Sequence, residues 1–433
     1  MRRNIVHIGA DELNYEIREI VKIGKNIESM GQQITWENIG DPVQKGEKIP
    51  DWIKNIVSNL ALQDQSYAYC DTIGIEETRQ FLANKVNERN GIKITPEDII
   101  FFNGLGDAVA KVFSFLKREA RVIGPSPAYS THSSAEGAHS GYDHLTYNLD
   151  PNNAWMPDID DLYKKVKYND SIAGILMINP DNPTGAVYSK EILSIIVDIA
   201  NKFNVFILSD EIYSHIVYDK SMTCHLSEVI GNTCGIAMRG ISKEIPWPGS
   251  RCGWLEVFNK KNNPIFTRYI KSLIDAKMLE VCSTTLPQMT IPLIMGDRRY
   301  LDHLKMRNDT FAQRSHECYE IFSKNQEIIV HPAKGAFYMT ILFKDSVLNN
   351  KMKLPIKYNT IKEYIEQITK DVQPDKRFVY YLLANCGICV VPLSSFCCQR
   401  HGFRVTLLEC DDNKRQWTFK TISEKITEFV SSV

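Results

Sequence analysis

Residues 205–213 read VFILSDEIY, an apolar run that ends abruptly in acidic and polar side chains. Similar apolar runs lie at residues 98–102, 173–178 and 235–238, and an amphipathic stretch at residues 190–203 separates two of the runs. Short apolar runs that alternate with helical patterns are typical of parallel strands covered by helices on both faces. The sequence therefore predicts a mostly parallel sheet, with ligand-binding residues at the carboxyl ends of its strands.

The length of the chain indicates two domains. A chain of 433 residues is too long for one compact core. The alternation of strands and helices weakens past residue 305, where Asp302–Phe322 reads as a long charged helix leading to a second domain. We expect a large domain over residues 47–305 and a smaller domain formed by residues 1–46 and 306–433. Residues 343–375 are rich in Lys, Asp and Asn and are expected to form a solvated insertion.

The charge balance and hydropathy exclude several classes of partner. The chain carries 51 basic and 52 acidic side chains, so a net charge of −1 creates no long-range attraction for nucleic acid or an anionic membrane. No apolar run approaches the roughly 18 residues of a membrane span, and no apolar core of a signal peptide follows the N-terminal arginines. We therefore expect a cytoplasmic protein without nucleic-acid or membrane partners.

The cysteines do not form a recognisable disulfide or metal pattern. They number eleven and are scattered from Cys70 to Cys410. Cys386 and Cys389 have the spacing of a redox pair or half a zinc site. Their apolar flanks favour packing instead, because a free cysteine behaves as a small apolar residue. No metal site is predicted.

Five polar residues near these apolar runs suit a single cofactor. They are Lys243, Asp210, Asn182, Tyr213 and Arg251. A lysine that can form a Schiff base, a carboxylate for a pyridinium nitrogen, an Asn and a Tyr for a phenolate and an Arg for a phosphate are what pyridoxal phosphate requires. Asp210 could instead cap a helix, and Asn182 could simply belong to a turn. Together the five residues predict a pyridoxal-phosphate enzyme.

The same motifs resemble the class I/II aminotransferases of the fold-type I pyridoxal-phosphate superfamily, from about Tyr15 to the C-terminus. Residues 39–42, 69–71 and 183–191 are similar to the bacterial alanine (glutamate–pyruvate) aminotransferase branch. The resemblance implies an α/β fold in which the large domain holds a mostly parallel seven-stranded sheet and both termini build a smaller α+β domain. It also implies a homodimer with shared active sites.

The resemblance assigns the centre of the site residue by residue. Lys243 is similar to the lysine that bonds to the cofactor aldehyde and then moves the substrate proton as general base and acid. Asp210 resembles the partner of the pyridine nitrogen. Tyr213 and Asn182 resemble the hydrogen-bond partners of the phenolic oxygen, and Tyr129 resembles the aromatic that stacks on the ring.

The phosphate would lie at a strand-to-helix turn, where backbone N–H groups bind anions. The resemblance implies contacts from residues of both subunits, namely Gly104, Leu105, Gly106, Ser242, Arg251 and, from the neighbouring subunit, Tyr69. Many relatives carry a hydroxyl residue three positions before the lysine. Gly240 stands there in this chain, so one phosphate contact is expected to be missing.

Substrate binding would centre on Arg404, which resembles the arginine that binds the α-carboxylate. Gly40 would add a backbone contact, and Tyr15 would close over the substrate. Residues 281–288 resemble the neighbouring-subunit loop and contain no Arg or Lys. This composition favours small or apolar amino donors, alanine first, with a 2-oxo acid as acceptor. The alternative is a carbon–sulfur β-lyase on the same fold.

Overall fold

The protein was analysed as a computed structural model that describes residues 5–13 and 16–432. In chain order the strands are β1 (Thr35–Trp36), β2 (Ile99–Phe102), β3 (Arg121–Ser126), β4 (Thr146–Asp150), β5 (Met156–Pro157), β6 (Ile172–Ile178), β7 (Phe206–Asp210), β8 (Gly235–Gly240), β9 (Gly253–Phe258), β10 (Ile328–Val330), β11 (Tyr338–Phe343), β12 (Ile388–Cys389), β13 (Val391–Pro392) and β14 (Gly402–Thr406).

The α-helices separate these strands along most of the chain, as the alternating pattern predicts. They are α1 (Glu16–Ser29), α2 (Asp51–Ala61), α3 (Glu76–Asn87), α4 (Leu105–Ser114), α5 (Ser130–Ser140), α6 (Ile159–Tyr168), α7 (Lys190–Phe203), α8 (Leu226–Val229), α9 (Pro264–Met278), α10 (Thr285–Met295), α11 (Arg299–Phe322), α12 (Asn359–Ile368), α13 (Pro374–Cys386) and α14 (Asp412–Val430).

The large sheet has the strand order β2-β9-β8-β7-β6-β3-β4-β5. Its middle, from β8 to β4, is parallel, whereas β9 pairs antiparallel with both β2 and β8. The predicted α/β architecture with a mostly parallel sheet is confirmed. The implied count of seven strands is one too low, because the two-residue β5 pairs antiparallel with β4 at one edge. A strand of two residues is too short to produce an apolar run.

The strands of the large sheet are covered on both faces. β2, β7, β8 and β9 are buried along their whole length, and separate apolar clusters occupy the two sides of the sheet. Burial on both faces explains why these strands read as continuous apolar runs rather than alternating ones. The polar residues that follow the strands therefore stand out in the sequence.

A second, smaller sheet has the order β10-β11-β14-β13 and is antiparallel throughout. The short β1 pairs in parallel with β12, which brings the N-terminal part of the chain against the C-terminal part. Ile20 and Ile27 of α1 lie in the same apolar cluster as Phe378 and Phe403. Both ends of the chain thus contribute to one core, while the predicted boundaries at residues 46/47 and 305/306 stay predictions.

The expectation of a solvated insertion at residues 343–375 is wrong. α12 lies within this segment and buries Ile361 and Ile365, which are four residues apart and share one helix face. Met352 and Leu354 are buried in the same cluster. The many Lys and Asp residues of this segment hide the apolar pattern in the sequence, although its few apolar residues pack against the core beside the small sheet.

The cysteine pair at residues 386–389 lies at the junction of α13 and β12. Cys389 is fully buried, in agreement with its interpretation as a packing residue. Within residues 5–13 and 16–432, no helix combines the length and the apolar character needed to cross a membrane.

Candidate active site

The residues singled out in the sequence gather at the carboxyl ends of strands of the large sheet. Gly104 follows β2, Asn182 follows β6, Asp210 ends β7 and Lys243 follows β8. β6, β7 and β8 are parallel neighbours, so their carboxyl ends lie at one edge of the sheet. Arg404 reaches this edge from β14 of the small sheet. The site therefore lies where the two sheets meet.

Lys243 is held at the centre of this edge. Its Nζ donates a hydrogen bond to the Gly40 carbonyl oxygen at 2.7 Å and lies 5.8 Å from the centre of the Phe337 ring. Burial lowers the pKa of Lys243 to about 8, and the cations of Arg404 and Arg251 act in the same direction. An amine with this pKa is neutral in a useful fraction near neutral pH and can act as a nucleophile.

Asp210 is buried and oriented by a histidine that the sequence did not reveal. His132 on α5 places its Nε2 2.8 Å from Asp210 Oδ2, and the Ile212 N–H donates to Oδ1 at 3.1 Å. The alternative of a helix cap is wrong, since Asp210 belongs to β7 and the next α-helix begins at Leu226. The sequence signal that could have identified His132 is its spacing from Tyr129, because residues three apart lie on one side of a helical turn.

Tyr213 lies beside Asp210 in a cluster of aromatic rings. Its hydroxyl is 3.2 Å from that of Tyr338, and its ring meets Phe337 edge to face at 5.4 Å. Burial, reinforced by Tyr338 and Tyr129, raises the pKa of Tyr213 well above its usual range. The Tyr213 phenol therefore keeps its proton and can donate it in a hydrogen bond.

Arg404 is only 3% exposed, and the residues around it do not neutralise it. Its Nη1 donates to Asn182 Oδ1 at 3.0 Å and its Nη2 donates to the Asn38 carbonyl at 2.8 Å. The Nε is buried without a hydrogen-bond partner among the described residues. Both acceptors are neutral, so the buried guanidinium lacks a direct anionic partner there, which a bound carboxylate would supply.

Gly40 is required by close packing at this site. A Cβ at this position would collide with the hydroxyl of Tyr338. The absence of a side chain lets the backbone of residues 38–40 pass between Lys243 and Arg404, and this backbone holds both side chains. Sequence reasoning found Gly40 but missed Asn38 and Tyr338.

The turn between β2 and α4 forms the other end of the site. Gly104 has φ +84°, and a Cβ there would collide with the guanidinium of Arg251. Leu105 and Gly106 are the first residues of α4, whose N-terminal N–H groups point towards an anion-binding position. The exposed Arg251 stands directly at this turn.

Close packing at the end of β8 explains why residue 240 carries no hydroxyl side chain. A Cβ on Gly240 would lie 2.9 Å from the Cys252 carbonyl oxygen and 3.2 Å from the Gly253 Cα. Any larger residue there would push β8 away from the start of β9. Ser242, which is partly buried, lies two residues after Gly240 and immediately precedes Lys243.

One of the predicted site residues, Tyr69, does not join this cluster within one chain. Tyr69 is 81% exposed, in a loop fastened by the bond from Thr285 Oγ1 to the Ala68 carbonyl at 2.6 Å. Tyr15 lies outside the described residues. Tyr129, by contrast, lies in the site beside His132, with ring centres 6.1 Å apart.

A buried ionic network supports the segment that carries Asp210. Glu211 accepts hydrogen bonds from Arg239 Nη1 at 3.0 Å and from the Leu226 N–H at 2.7 Å, and His225 Nδ1 lies 3.1 Å away. Burial opposes ionisation of Glu211, yet its partners lower its pKa to about 2. Burial lowers the pKa of His225 to about 3, so His225 is neutral and Arg239 is the counter-charge.

Replacing Glu211 by Gln should lower the free energy of unfolding at pH 7 by about 3 kcal/mol, because it breaks a buried charge pair. The folded-state pKa of Glu211 is depressed, so its stabilisation is present above the unfolded pKa near 4.5 and is lost as pH falls towards 2. Urea unfolding measured between pH 7 and pH 3 should show that the free energy of unfolding falls less steeply with decreasing pH in this variant than in the unsubstituted protein. The control is Glu88→Gln, which removes an exposed ion pair with Lys85 and should change little. An unchanged unfolding midpoint for Glu211→Gln would contradict the assignment.

The family model for aminotransferase class I and II matches residues 34–416, which include every site residue described above except Tyr15. The chain belongs to this family. An uncharacterised aminotransferase of Methanocaldococcus jannaschii is 57% identical over 432 residues, covering 100% of both chains. The glutamate–pyruvate aminotransferase of Escherichia coli is 29% identical over 328 residues, covering 75% of this chain and 79% of its own length.

Solved structures of class I and II aminotransferases share the fold. The alanine aminotransferase of Pyrococcus furiosus superposes with a TM-score of 0.83 at 24% identity and covers 97% of this chain and 99% of its own. An aminotransferase of Escherichia coli gives a TM-score of 0.81 at 25% identity, with 96% of each chain covered. The chain is therefore an aminotransferase of the fold-type I architecture.

Proposed function

We propose that this aminotransferase uses pyridoxal phosphate to transfer the amino group of alanine, or another small apolar amino acid, to a 2-oxo acid. The observation that carries the proposal is the buried guanidinium of Arg404, whose hydrogen-bond acceptors are neutral and whose Nε is unpartnered among the described residues. Arg404 and Lys243 are bonded to carbonyls only two residues apart, those of Asn38 and Gly40. A carboxylate bound at Arg404 would therefore place its α-carbon beside the amine.

The residues present fit pyridoxal phosphate. The turn at Gly104, with Arg251 against it, suits the phosphate. The buried Asp210 carboxylate suits the pyridine nitrogen, the protonated Tyr213 phenol suits the phenolic oxygen, and the Lys243 amine suits the aldehyde. When bound, the cofactor supplies an electron-withdrawing ring that stabilises negative charge on the substrate α-carbon.

The chain's own residues would divide the remaining work. Arg404 binds the α-carboxylate and fixes the orientation of the α-carbon. The Lys243 Nζ, with its lowered pKa, takes a proton from the α-carbon of the amino donor and, in the second half-reaction, gives a proton to the α-carbon formed from the 2-oxo acid. His132 holds the side chain of Asp210 in place at the end of β7.

Two features support the choice of substrate and the assembly. Residues 281–288 contain no cation for a second carboxylate, which favours a small donor, and the glutamate–pyruvate aminotransferases of Haemophilus influenzae and Escherichia coli are distant relatives. Tyr69 is exposed in the single chain, as are Leu62 and Leu279. A homodimer in which Tyr69 reaches the phosphate of the other subunit would cover such a side chain.

The absorption spectrum of the cofactor-loaded protein tests the proposal. Addition of L-alanine should convert the visible band to the absorption of the amine form of the cofactor, and 2-oxoglutarate should restore the band. Both half-reactions are expected because transamination alternates between two cofactor states. A visible band that does not change when alanine or any other amino acid is added would contradict the proposal. Release of a thiol and pyruvate from cystathionine would also contradict it. The control is D-alanine, whose α-proton would face away from Lys243 when its carboxylate is bound to Arg404.

A further inference from the structure

Tyr338, the first residue of β11, contacts both halves of the proposed site. The guanidinium of Arg404 lies 4.4 Å from the centre of the Tyr338 ring and 5.2 Å from the centre of the Phe396 ring. At the other end of the side chain, the Tyr338 hydroxyl is 3.2 Å from that of Tyr213 and occupies space that a Cβ on Gly40 would need. One side chain thus joins the carboxylate-binding arginine to the tyrosine assigned to the cofactor.

The hydrogen bond between the two hydroxyls has a definite direction when the cofactor is bound. Tyr213 has one proton, which it donates to the phenolic oxygen in the function proposed above. Its oxygen must therefore accept from its neighbour, and Tyr338 must be the donor. Donation into Tyr213 makes the Tyr213 O–H a stronger donor in turn, since linked hydrogen bonds polarise one another.

The ring of Tyr338 has a separate task. A cation over an aromatic face in a buried site is held by the ring's electrostatic field. The guanidinium of Arg404 is aligned by this ring and by bonds to Asn182 and Asn38, which fixes the donors that a carboxylate would meet.

We propose that Tyr338 is a positioning residue of the active site. Its hydroxyl donates a hydrogen bond to Tyr213, and its ring aligns the guanidinium of Arg404. The inference rests on the proposed function and deepens it, since it assigns the two tasks to different parts of one side chain. Two substitutions separate them. Tyr338→Phe removes the hydroxyl and keeps the ring, whereas Tyr338→Leu removes both.

The first readout is the binding of propionate, a carboxylate without an amino group, to the cofactor-loaded enzyme by calorimetry. Tyr338→Phe should leave the dissociation constant within about twofold of the unsubstituted enzyme, because the ring remains under Arg404. Tyr338→Leu should raise the constant by about 5- to 30-fold, which is the range expected for a desolvated cation–π contact.

The second readout is the pH midpoint of the visible absorption band of the loaded enzyme. Both variants should shift this midpoint upwards by about half a unit, because a weaker Tyr213 donor stabilises the phenolate less. Besides burial, Tyr338, Tyr129 and Asp210 raise the pKa of Tyr213, and the substitutions change only Tyr338. For Tyr338→Phe, kcat should fall by about 2- to 10-fold with KM unchanged.

The matched control is Tyr218→Phe, which removes a bond to the Ala336 carbonyl at 3.1 Å, two residues before Tyr338. This control should change neither readout. The inference is overturned if both Tyr338 variants lower only the melting temperature, or if Phe and Leu raise the propionate constant equally. It is also overturned if the unsubstituted enzyme does not bind propionate. Both readouts are independent of the amino donor, so failure of alanine as substrate would be recognised separately.

Discussion

Replacing Lys243 by Ala should lower kcat by at least about 10³-fold, because the variant lacks the group that moves the substrate proton. Burial and two nearby cations give this amine a pKa of about 8, whereas an ordinary surface lysine stays charged at neutral pH. Steady-state turnover with alanine and 2-oxoglutarate measures the loss. Borohydride reduction followed by peptide mass analysis should find the cofactor on Lys243 in the unsubstituted enzyme.

The control for this experiment is Lys305→Ala, which removes an exposed lysine paired with Asp309 on α11. This variant should keep full activity and the covalent cofactor. Ethylamine added to Lys243→Ala should restore part of the turnover, since a free amine can replace the missing base. Multiple turnover by Lys243→Ala without any added amine would show that another residue carries the proton.

Replacing Arg404 by Ala should lower kcat/KM for alanine by about 10²- to 10³-fold, the usual cost of removing one partner of a buried, hydrogen-bonded charge pair. The loss should be specific for the carboxylate. The unsubstituted enzyme is expected to prefer alanine strongly over ethylamine, whereas Arg404→Ala should hardly distinguish the two. Comparing the rates at which each amine bleaches the visible band gives this discrimination directly.

The control for Arg404 is Arg268→Ala, because Arg268 is a largely exposed residue of α9 whose ion-pair partner is Asp275. It should leave the preference for alanine unchanged. Arg404→Lys should recover only part of the loss, since an ammonium group cannot reproduce the planar fork of a guanidinium. A preference for alanine that survives in Arg404→Ala would assign the carboxylate to another cation.

The apolar runs in the sequence predicted both the parallel sheet and the polar residues proposed for the centre of the site. Strands buried on both faces stand out as apolar runs, so Asp210 and Lys243, which follow two of them, were conspicuous in the sequence. α7 begins and ends at the predicted residues, Lys190 and Phe203, because Ser189 caps it and Asn204 adopts the left-handed conformation after it.

The remaining site residues left no comparable signal in the sequence. His132 and Asp210 are 78 residues apart, and Tyr213 and Tyr338 are 125 apart, so only the folded chain brings each pair together. Nothing in the local sequence of Tyr338 distinguishes it from the buried residues that follow it in β11. Tyr69 could be named through resemblance, but the role proposed for it would require a second subunit.

The three-residue stretch from Asn38 to Gly40 has a mechanical consequence. Its two outer carbonyls accept hydrogen bonds from Lys243, in the loop after β8 of the large sheet, and from Arg404, in β14 of the small sheet. When the Lys243 amine bonds to another group, its hydrogen bond to the Gly40 carbonyl must change. The stretch thus forms a short backbone bridge between the two sheets, and the covalent state of the amine acts directly on one end of that bridge.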